Sequence, residues 1–231
     1  MLSTAKTKEA RSAYRDMTCL PGPARLSAET TVSLVTMSSP IGPAYDQFVP
    51  NQSRTLTTVV LLSGHVAAGK TTLAEELERH YGFRRLSTRS TILSLLPQTM
   101  PTRLSLQLAG DQLDRVTGGD WVATALTTDL AQSSPRRVVV DSVRTPSQVA
   151  HIRQQVLGRV VHVHLTAPRK VLAERYSTMV TGTASPDYMA VLSNETERTT
   201  DRLKSIADLA IDSGSLSVAR SAAKVGAVLE P

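Results

Sequence analysis

Short apolar runs that alternate with amphipathic segments organise the chain from residue 57 onward. The apolar runs are β-branched and bounded by polar or turn residues, which is typical of buried strands; they are Thr58–Ser63, Phe83–Ser87, Arg137–Asp141, Arg159–Thr166 and Leu209–Asp212. Helical periodicity separates and follows them, in Lys70–Tyr81, Thr88–Leu96, Pro101–Val116, Trp121–Gln132, Pro146–Leu157, Pro168–Met179, Asp187–Ala207 and Ser215–Leu229. The alternation predicts an α/β domain of three layers, with a parallel sheet between helices on both faces.

Residues 1–55 lack this periodicity. Prolines are spread through the segment among Ser, Thr and Ala, at Pro21, Pro23, Pro40, Pro43 and Pro50. Such a composition favours a flexible tail, with one short helix near Thr4–Met17. We therefore predict a flexible N-terminal tail over residues 1–55 and a folded domain over residues 56–231.

Composition excludes a membrane span and a disulfide framework. None of the apolar runs in the 231 residues approaches the ~20 residues that a bilayer requires. Cys19 is the only cysteine, so the chain has no internal disulfide and no cysteine-based zinc site. We expect a cytoplasmic protein, or one in the host cytoplasm if a phage encodes it, without a membrane partner.

The net charge favours anionic partners. Lys and Arg number 26 against 20 Asp and Glu, which gives a formal charge of +6. The basic residues form no run, and aromatic residues make up only 3% of the chain, so stacking platforms for single-stranded nucleic acid are scarce. Charge alone leaves open a small phosphorylated ligand and DNA, and it does not indicate an oligomeric state.

Residues 64–72 read GHVAAGKTT and fill the pattern Gly, four residues of any type, Gly, Lys, Thr between a predicted strand and an amphipathic helix. Gly64 and Gly69 allow the backbone amides to point at phosphate oxygens, and the helix N-terminus adds its dipole. Lys70 is expected to contact the β- and γ-phosphates and the Thr71 hydroxyl to ligate Mg²⁺. The loop predicted to bind ATP is Gly64, His65, Val66, Ala67, Ala68, Gly69, Lys70, Thr71 and Thr72.

Asp141 ends the predicted strand RVVVD. In a phosphate-loop fold a carboxylate at this place orients Mg²⁺, often through water, so Asp141 is the second candidate metal residue beside Thr71. An ordinary cap of the following helix is the alternative explanation.

The segment after this strand resembles the acceptor site of nucleoside monophosphate kinases. Asp141–Gln148 reads DSVRTPSQ, which is similar to Asp-Gly-Phe-Pro-Arg-Thr followed by Gln, and closer to the Asp-Gly-Ile-Arg of deoxynucleotide and dephospho-CoA kinase-like proteins. The resemblance implies that Arg144 holds the acceptor phosphate and that Gln148 faces its base. The chain departs from the pattern by Ser142 in place of Gly and by one fewer residue before Arg144 than in adenylate kinase.

Other stretches are similar to the same family. Leu86–Arg89 (LSTR) resembles its Ser-Thr acceptor segment, with Thr88 and Arg89 as contacts. Arg103–Asp111 (RLSLQLAGD) implies that Arg103 and Gln107 line the acceptor pocket. Pro168–Arg175 (PRKVLAER) resembles the helix entering the lid and places Arg175 over the donor nucleotide. A second lid arginine is replaced by Met179, so Arg198 or Arg202 would have to supply it. The string GDQLDRVTGGDWVA also resembles P-loop domains fused to adenylosuccinate synthetases.

Several polar positions have both a structural and a functional explanation. Each arginine could instead lie on a solvated helix face. Asp111 and Asp114 could be a solvated face as well, or Asp111 (or Asp141) could take the proton of an acceptor hydroxyl. His162 and His164 share one strand face and are expected to be core histidines rather than a metal pair.

The residues together predict a phosphotransferase of the P-loop kinase type. It would move the γ-phosphoryl of Mg·ATP to a nucleotide or nucleoside-like acceptor. Two alternatives remain at this point: a DNA-modifying kinase that acts on a hydroxymethyl pyrimidine, and a nucleotide-dependent switch or partner module with slow ATP hydrolysis.

Overall fold

A computed structural model describes residues 56–179, 188–192 and 195–230 of the chain, without the side chains of residues 190, 192 and 195–198. The predicted tail over residues 1–55 and its short helix lie outside the described residues. In the described part the strands form one five-stranded sheet, in the order β2-β3-β1-β4-β5, with every neighbouring pair parallel. Their bounds are β1 Thr57–Gly64, β2 Arg84–Ser87, β3 Arg137–Asp141, β4 Gly158–Thr166 and β5 Leu209–Asp212.

The helices cover both faces of this sheet. In chain order they are α1 Lys70–Tyr81, α2 Thr88–Leu95, α3 Arg103–Thr117, α4 Asp120–Ser133, α5 Pro146–Gln155, α6 Arg169–Met179, α7 Tyr188–Leu192, α8 Glu195–Ser205 and α9 Val218–Leu229. The three-layer parallel α/β fold predicted from the sequence is confirmed. Of the described helices, none has the length and apolar character needed to cross a membrane.

Alternation along β1 divides the core into two clusters. Val60 and Leu62 face α1, α6, α7 and α9, and Val59 and Leu61 face the other layer of α2, α3, α4, α5 and α8. All four side chains are fully buried, because a central parallel strand has helices on both sides. The exposed ends of the strands are thus the places left for chemistry.

The carboxyl ends of the strands meet at one edge of the sheet. Asp141 at the end of β3 is in register with Leu62 of β1 and with Ser87 of β2, and Gly64 of β1 is in register with Leu165 of β4. Since β1 lies between β3 and β4, the chain leaves it at a point where the strand order reverses, which is where open α/β sheets bind ligands.

Candidate active site

The phosphate loop connects β1 to α1, and two of its residues have backbone conformations with positive φ that glycine adopts readily. Gly64 has φ +137°, and Gly69 has φ +87° at the N-cap of α1. The N-cap has no side-chain hydrogen bond, and the first turn of α1 contains no acidic residue. An anion at the start of α1 would therefore meet no carboxylate of the first turn, and the helix dipole favours an anion there.

Lys70 reaches back into this loop. Its Nζ donates hydrogen bonds to the carbonyl oxygens of Gly64 at 2.7 Å and His65 at 2.8 Å. These contacts hold the ammonium group against the phosphate loop, close to the start of α1. A phosphate group bound by the amides would meet a positive charge at short range.

Asp141 and Thr71 place oxygen donors beside Lys70. The carboxylate of Asp141 is hydrogen-bonded by the Thr71 side chain, and its side chain is only 9% exposed. Burial raises the pKa of Asp141 above its ordinary value, against the opposing effects of the Thr71 hydrogen bond and the charges of Lys70 and Arg85. A carboxylate and a hydroxyl are hard oxygen ligands of the kind that Mg²⁺ takes, so this pair fits the predicted metal.

A cleft of about 950 Å³ joins the loop to the acceptor candidates. It runs from the start of α1 past the ends of β2 and β3 to α2, α3 and α6. The predicted residues that line it are Val66, Ala67, Gly69, Lys70, Thr71, Thr72, Thr88, Arg89, Arg103, Gln107, Asp141, Arg144 and Arg175. A cavity of about 90 Å³ adjoins it, and Lys70, Arg103 and Arg144 line both spaces.

Thr88 and Arg89 fix the start of α2 beside the end of β3. The Thr88 hydroxyl donates to the carbonyl oxygen of Asp141 at 3.3 Å and accepts from the Ser142 amide at 3.2 Å. Arg89 donates to the carbonyl oxygen of Pro101 at 2.8 Å, which anchors the segment before α3. Thr88 thereby connects the start of α2 to the strand that carries Asp141.

Five predicted site residues are not among those that line the large cleft: Gly64, His65, Ala68, Asp111 and Gln148. Gly64 borders the smaller cavity. The His65 ring lies at the surface, where Nε2 is 3.3 Å from the Asp201 carboxylate of α8. Asp111 is half-buried along α3.

Gln148 is directed away from the cleft, and its side chain is almost fully buried. Its carbonyl oxygen accepts from the Arg144 amide at 2.8 Å, and its amide nitrogen donates to Asp114 at 2.8 Å. With both ends of the amide engaged, Gln148 does not present a polar group to a base in the cleft. Asp114 does not line the cleft either. In addition to Gln148, Trp121 donates a hydrogen bond to it at 2.7 Å.

The residues considered for a lid differ in whether they line the cleft. Arg175 lines the cleft and donates to the hydroxyl of Ser213 at 3.2 Å and to its carbonyl oxygen at 2.7 Å. Met179 also lines the cleft and is exposed. Arg202 lies exposed on α8 and does not line it, whereas the Arg198 side chain lies outside the described residues.

Arg85 and Tyr176 are among the residues that line the cleft and that sequence reasoning missed. Arg85 NH1 lies 3.2 Å from Glu75 and 4.0 Å from the Asp141 carboxylate. The period of two along β2 puts Arg85 on the same face as Ser87, which is the signal that could have identified it. Tyr176 packs under the guanidinium of Arg103, with 5.7 Å from Cζ to the ring centroid. No motif marks this pair, because it joins α3 to α6.

His162 and His164 lie in the core, as predicted. Both are buried on β4 and share the hydroxyl of Ser63, at 2.7 Å from His162 Nε2 and 2.9 Å from His164 Nδ1. His162 Nδ1 lies 3.4 Å from the carbonyl oxygen of Ile206, so this nitrogen donates and Nε2 accepts from Ser63. Burial lowers the pKa of His162, and burial and neighbouring positive charges lower the pKa of His164 to about 4.

We expect the free energy of unfolding to fall as the pH is lowered from about 6.5 towards 4. The pKa of His164 in the folded chain lies below its ordinary value of 6.5, so the unfolded chain binds the extra proton throughout this window. The effect of this one imidazole is about 3 kcal/mol over the window. Urea unfolding measured across the window should show a smaller pH slope in His164→Gln. His80→Gln, which alters an exposed histidine, should keep the slope of the unmodified chain, and equal slopes in all three proteins would refute the assignment.

No family model and no curated protein sequence matches the chain. Solved structures do: shikimate kinase from Aquifex aeolicus is 13% identical, with a TM-score of 0.50 over 74% of this chain and 95% of that one. Shikimate kinase from Acinetobacter baumannii in complex with shikimate is 19% identical, with a TM-score of 0.49 over 76% and 94%. The APS kinase of Mycobacterium tuberculosis in complex with AMPPNP and APS is 15% identical, with a TM-score of 0.48 over 76% and 99%. At such low identity, what the chain shares with the Aquifex enzyme is the fold.

Proposed function

We propose that this chain is a P-loop kinase that transfers the γ-phosphoryl group of ATP to a nucleotide or nucleoside-like acceptor. The observation that carries the proposal is the cleft, which joins the phosphate loop and its Lys70 to a second wall bearing Arg89, Arg103 and Arg144. In the reaction the bond from the γ-phosphorus to its bridging oxygen breaks, a bond to an acceptor oxygen forms, and ADP leaves.

On the ATP side of the cleft, backbone amides and one cation, Lys70, bind the polyphosphate. The amides at the start of α1 and the ammonium of Lys70 contact phosphate oxygens and neutralise charge as it moves to the leaving group. Thr71 and Asp141 are the residues that would hold Mg²⁺, which supplies further neutralisation when bound. Positioning and charge neutralisation are most of what phosphoryl transfer requires of a protein.

The acceptor side is rich in guanidinium groups. Among the described residues that line the cleft, Asp141 is the single carboxylate, against the cations Lys70, Arg85, Arg89, Arg103, Arg144 and Arg175. Arginine suits phosphate because its planar fork bonds two oxygens at once. An acceptor phosphate is already a nucleophile, whereas an acceptor hydroxyl would give its proton to Asp141, the carboxylate that the cleft supplies.

Acceptor-dependent ADP release is the test of this proposal. A coupled assay with Mg·ATP would compare ribo- and deoxynucleoside monophosphates, free nucleosides, dephospho-CoA, and DNA with and without hydroxymethyluracil. The proposal predicts that one class of small acceptor raises ADP release above the rate without acceptor. Release at the same slow rate with every compound would overturn it in favour of a nucleotide-dependent switch.

Arg144→Ala is expected to lower kcat/KM for the acceptor by about 10- to 100-fold, the cost of one charge-assisted hydrogen bond to phosphate. Affinity for ATP should not change, because the proposal assigns the phosphates of ATP to Lys70 and the start of α1, and only the acceptor to Arg144. Steady-state kinetics in the acceptor and calorimetry with ATP measure the two effects. Arg220→Ala, an exposed arginine on α9, is the control. An acceptor response equal to that of the unmodified chain would remove Arg144 from the site.

A further inference from the structure

We propose that Asp114, Gln148 and Trp121 form a positioning network that sets where Arg144 meets the acceptor. This inference rests on the proposed function, because it concerns the arginine assigned to the acceptor. None of the three lines the cleft, and they act through hydrogen bonds to one another and to the backbone of Arg144.

Each hydrogen bond of the network has a defined donor and a defined acceptor. Oε1 of Gln148 accepts from the Arg144 amide at 2.8 Å, and its Nε2 donates to Oδ1 of Asp114 at 2.8 Å. Trp121 Nε1 donates to the same Oδ1 at 2.7 Å. A backbone amide only donates and an ionised carboxylate only accepts, so the side-chain amide of Gln148 has a single orientation that satisfies both neighbours.

The surroundings leave this chain of bonds little room to rearrange. Gln148 is 1% exposed and Trp121 6%. The turn between α3 and α4 packs directly on Gln148: a Cβ added to Gly119, at φ +93°, would lie 3.2 Å from the backbone nitrogen of Gln148 and 3.3 Å from its Cγ. A buried amide held this closely cannot replace a lost partner with water, so a change at one position is passed to the next.

The backbone amides of Arg144 and of the residue before it are held by two different parts of the fold. The Val143 amide donates to Leu62 of β1 at 2.9 Å, which anchors residue 143 to the strand that precedes the phosphate loop. The Arg144 amide is anchored through Gln148 to Asp114 on α3. The same helix begins at Arg103, which lines both cavities with Arg144. One carboxylate therefore ties together the two elements that carry these arginines.

Substitution of the polar groups tests this directly. Gln148→Glu puts a second carboxylate against Asp114 and breaks the chain of hydrogen bonds. Asp114→Ala removes the oxygen that accepts from both Gln148 and Trp121, whereas Asp114→Asn keeps an oxygen at that place and with it both bonds. Gln155→Glu is the matched control, since Gln155 also donates from α5 to a carboxylate, that of Asp120 on α4, without a bond to Arg144.

The readout is the Kd of inorganic phosphate for protein saturated with Mg·AMPPNP, together with KM and kcat for the acceptor and thermal unfolding. We expect Gln148→Glu and Asp114→Ala each to raise the phosphate Kd and the acceptor KM about tenfold, and Asp114→Asn to keep both constants close to those of the unmodified chain. Gln155→Glu should leave both constants unchanged, and Arg144→Ala should abolish the dependence on Gln148.

Several results would overturn the inference. They are a Gln148→Glu variant that unfolds at lower temperature but keeps the phosphate Kd and KM, an Asp114→Asn variant that weakens phosphate binding as much as Asp114→Ala, and a phosphate Kd that Arg144→Ala does not change. Absence of phosphate binding to the loaded protein would overturn it as well. Failure of every acceptor to raise ADP release would overturn the proposed function instead, and the phosphate titration would still decide the role of the network.

Discussion

Lys70→Ala is expected to reduce turnover by about 10²- to 10³-fold or more while the chain remains folded. The ammonium group is the cation held over the phosphate loop, by the carbonyl oxygens of Gly64 and His65. Its removal takes away the positive charge nearest the β- and γ-phosphates, and the charge that develops there in the transition state loses its main protein partner. ADP release under saturating Mg·ATP and acceptor measures this loss.

Lys224→Ala, an exposed lysine on α9, controls for the loss of any one positive charge. It should retain the turnover of the unmodified chain. Circular dichroism and thermal unfolding of Lys70→Ala should show a folded protein, because the lysine donates to carbonyl oxygens of its own loop and is not part of either core cluster. Normal turnover in Lys70→Ala would refute the assignment of residues 64–72 as a phosphate loop.

Gly64→Ala is expected to destabilise the folded chain by about 3 kcal/mol or more. Gly64 has φ +137°, a conformation that residues with a side chain rarely adopt. A Cβ there would lie 2.3 Å from the carbonyl oxygen of Leu165, a backbone atom held in the β1–β4 ladder. The methyl group can be accommodated only if β1 and β4 separate or the phosphate loop is displaced, so ATP affinity should fall as well. Chemical denaturation and ATP titration measure the two losses.

Gly82→Ala is the matched control for this substitution. Gly82 also has positive φ, at +67°, but a Cβ added there would have no atom within 4 Å. We expect it to cost about 1 kcal/mol, the strain of the left-handed conformation alone. Equal destabilisation by the two substitutions would show that the contact with Leu165 contributes nothing.

Much of the fold could be predicted because its signals are local. The strand Arg137–Asp141 and the helix Lys70–Tyr81 have the bounds that the apolar pattern indicates. A strand buried on both faces must be a short apolar run, and a helix that begins at the phosphate loop is bounded by glycines at both ends. Within the predicted helix over Asp187–Ala207, the described residues include the helices α7 and α8.

The sequence could not show which group each side chain of the site hydrogen-bonds or packs against. Gln148 has the same spacing from Arg144 whether its amide faces a ligand or the half-buried carboxylate of Asp114. What decides is Asp114, which is 34 residues away and reaches Gln148 only through the packing of α3, α4 and α5. The contact between Arg103 and Tyr176 likewise depends on how α3 meets α6. Residue type and spacing identify which groups can bind a ligand, and tertiary contacts decide which of them do.

The most direct test of the account is ³¹P NMR of the products formed from Mg·ATP and the acceptor that most stimulates ADP release. The kinase proposal predicts a new phosphorus resonance from the phosphorylated acceptor, equal in amount to the ADP formed, and its absence with Lys70→Ala. Inorganic phosphate as the only new product, in amounts equal to ADP, would contradict the proposal and identify the chain as an ATP-hydrolysing module.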